Sequence, residues 1–330
     1  MSEENAQNPP PKSKTRFTSL FDETTKFYKK HYKSLLILFL IPVVIQAVST
    51  LLLSNILITN NFPGTISNTP VNLMNIPMLI GIYAVFIIVF SLLIMMASGA
   101  SVRIMAADDK QQKISIMEAI NGFWQRFGKA LGLSVRFLNY TFGWFLFLFI
   151  FVFILQGISL ALIKNGDDTV NNFLQPVSPI LPILPLIFIA FLIVFFVRML
   201  RAFFSFPILM SGDGSSKEAL DESITISKGI TGRIFWNLFL VSLVLGILGG
   251  MATQLIMQII ALFYPMPTGF GVNTLNYYNS IAPFAGILTQ LVIQSFTVTF
   301  NYVFMKRARE EKGIPMVSAP ASANNGPMLK

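Results

Sequence analysis

The chain has 330 residues, 54% hydrophobic and only 12% charged, with a formal net charge of +9. A soluble globular protein carries about 25% charged residues, so the composition excludes an ordinary soluble domain and indicates an integral membrane protein. It has no cysteine and one histidine, which removes disulfides, thiolate nucleophiles and nearly all transition-metal chemistry.

Residues 1–16 are a polar, proline-bearing tail, expected to be disordered and to be no cleaved signal peptide. Ser19 and Asp22 then open "SLFDETTKFYKKHYKS", read as a first amphipathic helix over 19–33 with Tyr28 as an interfacial anchor. A helix crosses a ~30 Å hydrocarbon core in about 20 residues. The first qualifying stretch is 35–58, with a kink expected at Pro42. After an uncharged loop, 78–102 is the second.

Ser115 and Glu118 open a second amphipathic helix, 115–129, in which Met117, Ile120, Trp124, Phe127 and Leu131 recur at three- and four-residue steps. Trp124 and Phe127 are its expected anchors at the acyl boundary. The third span is 131–163. A loop with Lys164, Asp167 and Asp168 leads to the fourth, 180–210, with kinks expected near Pro182 and Pro185. Ser215 and Glu218 open a third polar helix, 215–229, followed by spans 234–263 and 281–305 around an uncharged loop. Residues 313–330 form a second polar tail, expected to be disordered.

Ser19, Ser115 and Ser215 are each followed by an acidic residue three positions on, the pattern of a capping box. Their near-constant spacing predicts a threefold helix–span–span repeat, with units 17–108, 113–213 and 214–312. The expected fold is all-α. It is a polytopic helix bundle over 17–312 with six transmembrane helices and three cytoplasmic amphipathic helices. Of the 24 Lys and Arg, all but Lys164 fall in 1–34, 103–136, 198–233 or 306–330. Basic loops stay cytoplasmic, so both termini are expected inside, in a multi-pass inner-membrane protein. The positive charge is an orientation signal and an anchor for membrane lipids, the expected partner, rather than a nucleic-acid footprint.

The stretch "SSKEALDESITISKGITGRIFWNLFLVSLVLGILGG", with its Glu-Ala-Leu-x-x-Ser core and the Lys-Gly before a span, resembles bacterial proteins related to the glycerophosphoryl diester phosphodiesterase membrane domain. The resemblance implies a bacterial cytoplasmic-membrane protein. It carries over no catalytic residue, because the phosphodiesterase chemistry of that family lies in a separate soluble domain.

Chemistry-bearing groups are sparse. His31 sits among lysines and reads as solvated or headgroup-facing. The pairs Asp108/Asp109, Asp221/Glu222 and Glu310/Glu311 lie beside cations and read as solvated, charge-balancing groups. No nucleotide-binding or hydrolase motif is present, and no cofactor or metal is expected. No Asp or Glu falls within a span, which argues against an ion-coupled pump. Neutral amides do fall there. Gln254 and Gln258 share one helix face, as do Gln290 and Gln294. Gln254 and Gln290 reach similar depth, which suits either an interhelical amide bond or a polar cavity. Gly246 and Gly250 form a G-x-x-x-G step for close packing. The leading functional expectation is a non-enzymatic membrane protein, lipid-associated or a scaffold. The alternatives are an uncoupled transporter or channel with a glutamine-lined path, and a lipid-modifying membrane enzyme.

Overall fold

A computed structural model describes residues 17–59, 75–143, 184–212, 214–263 and 272–314. Both tails, the first two outer loops and the far part of the predicted third span lie outside the described residues. Among those described, the chain is helical without strands. The elements are α1 (Phe17–Thr59), α2 (Asn75–Asp109), α3 (Ile116–Gln125), α4 (127–143), α5 (Leu184–Arg201), α6 (Ser205–Ser211), α7 (Ser216–Ser227), α8 (Thr231–Phe263) and α9 (Val272–Glu311). Among the described residues four stretches are long and apolar enough to cross a membrane: Phe17–Ser49, Ala84–Asp109, Ile189–Ser211 and Thr231–Phe263. Helices are the expected form, because hydrocarbon offers no partner to an open backbone group.

The described chain divides into two units. One holds residues up to Arg126 together with Asn237–Met316; the other holds Phe127–Trp236. In the first unit α1, α2 and α9 pack as a bundle. Its core joins Leu38, Phe39 and Val43 of α1, Ala97, Ala100 and Ile104 of α2, and Leu291 of α9, with Ala119 of α3 against them. The small residues Ala97 and Ala100 let the helices approach closely where bulk on α1 fills the gap.

Below this core the helices are tied by charge. Asp108 and Asp109 end α2, where two carboxylates oppose the helix dipole. Each is matched by a cation from a different helix. Asp108 receives both of its oxygens' contacts from Lys30 at 2.7 Å, and His31 Nε2 lies 3.2 Å away. Asp109 accepts from Lys306 Nζ and from the buried Tyr302 hydroxyl, each at 2.7 Å. Arg307 of α9 pairs with Glu23 of α1. The acidic pair read as solvated is therefore the junction of three helices, and His31 packs on Phe27, ring centroids 5.1 Å apart, instead of facing headgroups.

Three expectations change in this unit. The 19–33 segment is no separate helix: α1 runs unbroken from Phe17 through Thr59, so Ser19 lies in its first turn and is not an N-cap. Leu20 and Thr24 are buried, so this stretch packs against protein. Tyr28 is no interfacial anchor. Its hydroxyl lies 3.1 Å from Ser295 Oγ, and its ring meets Phe296 edge-on at 5.5 Å. Because Ser295 already donates to Leu291 O at 2.6 Å, the Tyr28 hydroxyl is the donor.

The second and third boxes are as read. Ser115 accepts from Glu118 N at 3.2 Å while Ser115 N donates to Glu118 Oε2 at 2.6 Å. Ser215 and Glu218 repeat the pair at 3.3 and 2.8 Å. Helix α3 buries Ala119, Gly122 and Phe123 and leaves Met117 and Trp124 exposed. It ends at Arg126, so Phe127 starts α4, half-buried, rather than extending the same stripe.

Two measurements check this arrangement. Asp109→Ala strands Lys306 and the Tyr302 hydroxyl in a mostly buried setting, so it should cost about 3 kcal/mol. Lys30→Ala removes a cation whose side chain is 61% exposed, and should cost under about 1 kcal/mol. Thermal unfolding of the two purified variants ranks them. The Ser115 backbone N–H, aided by the Ser115 hydroxyl, holds the Glu118 carboxyl below the usual glutamate range. The cap's stabilisation is thus fully present above that range and is lost as pH falls through the depressed value. The thermal midpoints of wild type and Glu118→Gln should differ at neutral pH and converge in acid.

Candidate functional site

The second unit contains an interrupted helix. The predicted span 180–210 is not continuous: α5 stops at Arg201 and α6 starts at Ser205. Pro207 supplies the cause. Its ring clashes with the carbonyl four residues back, at Phe203, and it has no N–H to give. The chain then needs partners for the backbone groups the break releases. Ser205 Oγ donates to Ala202 O at 2.6 Å. Ser223 Oγ, fully buried on α7, donates to Arg201 O at 2.8 Å and accepts from Phe204 N at 3.1 Å. One hydroxyl closes both sides of the gap.

This gives the Glu-Ala-Leu-x-x-Ser core a folding role at each position. Glu218 caps α7, Ala219 and Leu220 are buried against the unit, and Ser223 plugs the break. The base of α7 is tied to α4 by Ser216 Oγ donating to Lys129 O at 2.7 Å. Gly132 leaves room for this contact: a Cβ there would sit 3.1 Å from Ser216 Oγ.

Between the interrupted helix and α4 lies a groove of about 540 Å³, lined by Leu133, Ser134, Phe137 and Leu138 on one side and Met199, Ala202, Phe203, Ser205 and Phe206 on the other. Its lining is apolar apart from two hydroxyls. Ser134 already donates to Ala130 O at 3.1 Å and Ser205 to Ala202 O, so neither offers a free proton. The groove rim includes Leu138 and Met199, both exposed, and the flank continues through exposed Leu131, Val135, Phe142, Leu192 and Phe196. Beside the groove in sequence, Arg198 Nη1 donates to Tyr140 O at 3.0 Å, and its guanidinium lies 5.3 Å from the Tyr140 ring centroid. Arg198 is thus held by α4. The described lining residues offer shape and apolar surface.

The structure separates the four glutamines from the contact expected of them. At the level where an amide bond between Gln254 and Gln290 was anticipated, the bridge is Thr253 Oγ1 to Thr289 Oγ1, 3.1 Å, one residue earlier on each helix. Gln254, Gln258 and Gln290 are exposed and Gln294 is half-buried. Gly249, not Gly246 or Gly250, makes the close approach. A Cβ there would lie 2.6 Å from Ile293 Cδ1, whereas Gly246 and Gly250 face open space. Among the described residues no cluster of three or more His, Cys, Asp or Glu could hold a metal ion. Sequence reading missed Ser223, whose partners lie 19 and 22 residues away. The available signal was Pro207, inside the predicted fourth span.

Ser223→Ala should cost about 1–3 kcal/mol, because a buried N–H and a buried carbonyl both lose their partner. Ser223→Thr, which keeps the hydroxyl, should recover part of the loss. Thermal unfolding of both variants checks this; an unchanged midpoint for Ser223→Ala means the break is closed by something else.

Comparison with protein-family models, with curated proteins and with solved structures gave no match, so the functional reading rests on the geometry above.

Proposed function

We propose that the chain is a non-enzymatic protein of a bacterial cytoplasmic membrane that holds a lipid acyl chain in the groove beside the interrupted helix. The groove carries this reading. It is apolar and open on a flank of exposed apolar side chains within a membrane-crossing stretch, so hydrocarbon is the solvent that fills it. A lipid tail gains no hydrophobic driving force on moving from bilayer to protein. Any preference for the groove therefore comes from shape fit and dispersion, summed over many small contacts.

In this proposal the protein has six spans with both termini cytoplasmic, a topology supported by the one-sided distribution of Lys and Arg. The capped helices α3 and α7 run along the cytoplasmic face, and the exposed Met117 and Trp124 suit the acyl boundary there. Two completed boxes at Ser115 and Ser215, each leading into a helix, favour a repeated unit. Ser19 lends the first copy no capping box. Kinship with the membrane domain of glycerophosphoryl diester phosphodiesterases remains part of the proposal, on the Glu-Ala-Leu-x-x-Ser core alone. The transporter reading is less favoured, because three of the four glutamines are exposed rather than lining an enclosed path.

Two experiments test it. Protein reconstituted with native lipid, purified and washed in detergent should retain phospholipid, and Met199→Trp or Leu138→Trp, which fill the groove from its rim, should lose it. Equal retention by folded variants excludes the groove as the site. Cysteines placed at Asn68 and Asn171 should react with an impermeant thiol reagent in intact cells, and one at Ser322 should not. Reaction at Ser322 contradicts the topology.

A further inference from the structure

The stretch 250–258 reads Gly-Met-Ala-Thr-Gln-Leu-Ile-Met-Gln, and 286–294 reads Gly-Ile-Leu-Thr-Gln-Leu-Val-Ile-Gln. Gly, Thr, Gln, Leu and the final Gln recur at the same steps, and the remaining positions are all apolar. The first copy lies on α8 and the second on α9. The two helices meet at the equivalent threonines, Thr253 and Thr289, 3.1 Å apart. Gly249 faces Ile293, four residues down one helix and four up the other. The helices are therefore antiparallel in this region, and a local twofold axis through the threonine pair relates the two copies.

That axis fixes where the rest of each copy lies. A twofold axis perpendicular to an antiparallel pair carries both residues that follow the contact onto the same flank. Gln254 and Gln290 thus share one flank and one depth. Gly250 and Gly286, three residues before each threonine, fall on the same flank. A Cβ at either glycine would meet nothing within 4 Å. Open space at the two glycines thus adjoins two exposed amides. By sequence Gln254 and Gln290 fall inside the expected spans 234–263 and 281–305, within the ~30 Å hydrocarbon core. Lipid tails cannot satisfy amides at that depth.

We propose that this flank is a homodimer interface, in which Gln254 of one copy pairs with Gln290 of a second copy of the chain, and the reverse. The geometry is self-complementary. A second copy with the same topology is related by an axis along the membrane normal. That operation places its α9 opposite the first copy's α8 and its α8 opposite the first copy's α9. Four amides then meet at one level, each carrying both donors and an acceptor. The interface closes on itself, as a twofold contact must. The open glycines allow the helices to come near enough for the amides to bond. This inference goes beyond the lipid reading and uses only the first unit, so either can fail without the other.

The chain has no cysteine, which makes the test direct. Two differently tagged full-length chains, one carrying Gln254→Cys and the other Gln290→Cys, are reconstituted together in liposomes and mildly oxidised. The mixture should form a cross-linked heterodimer in several-fold excess over the cross-linked homodimers of either chain alone. No cross-link, or equal yields in all three samples, overturns the proposal. In parallel, the double variant Gln254→Leu/Gln290→Leu should keep its thermal midpoint while its association constant, measured by fluorescence transfer between labelled chains, falls about tenfold or more. A double variant that stays folded and dimerises as before also overturns it.

Discussion

Hydrocarbon provides no hydrogen-bond partner, so every backbone group placed in it must be satisfied from within the protein. That constraint organises this chain. It makes the spans helical, and it makes a single proline expensive unless something closes the break. At Pro207 the closure is Ser223, which reaches across from α7 to serve Arg201 O and Phe204 N. The capping box at Ser215 and Glu218 positions α7, and through α7 it positions the serine. A polar cytoplasmic helix and an interrupted apolar one are thus one structural device, and the groove follows from it. Without the break, Ala202, Phe203 and Phe206 would continue a regular helix and the space beside α4 would not exist in this form.

The same economy governs the charges. No Asp or Glu sits in the deep part of any described helix. The carboxylates that do occur on α2 wait until its last two residues, Asp108 and Asp109, where cations from α1 and α9 can reach them. An acidic pair at a helix C-terminus is locally unfavourable, and it persists here because each acid joins α2 to a different helix. The arrangement is electrostatically consistent only when all three helices are in place. It therefore favours the native bundle over pairings in which one helix is missing.

Features that depend on a few neighbouring residues were readable in the sequence. The boxes at Ser115 and Ser215 need only four positions, and both form. Ser19 with Asp22 has the same spelling but fails, because the preceding Phe17 and Thr18 are already helical and leave no terminus to cap. Tyr28 was misassigned for a related reason. An apolar stripe reveals which face avoids water, but in a membrane protein both lipid and protein meet that need, and the stripe does not say which. Tyr28 meets α9, whereas Trp124 stays exposed. The glutamines show the limit from another side: their depth was legible, but the rotation of each helix was not. That rotation brings Thr253 and Thr289 into contact and leaves Gln254, Gln258 and Gln290 exposed.

The central claim is that Ser223 closes the backbone break at 201–205 and that the break is not a loop admitting water. Hydrogen–deuterium exchange of the protein in lipid nanodiscs, read at the backbone amides of Phe203 to Phe206, measures this most directly. The account predicts that the Phe204 amide exchanges as slowly as those of the adjoining helices and that Ser223→Ala speeds it selectively. Rapid exchange at Phe204 in the wild-type protein would contradict the account.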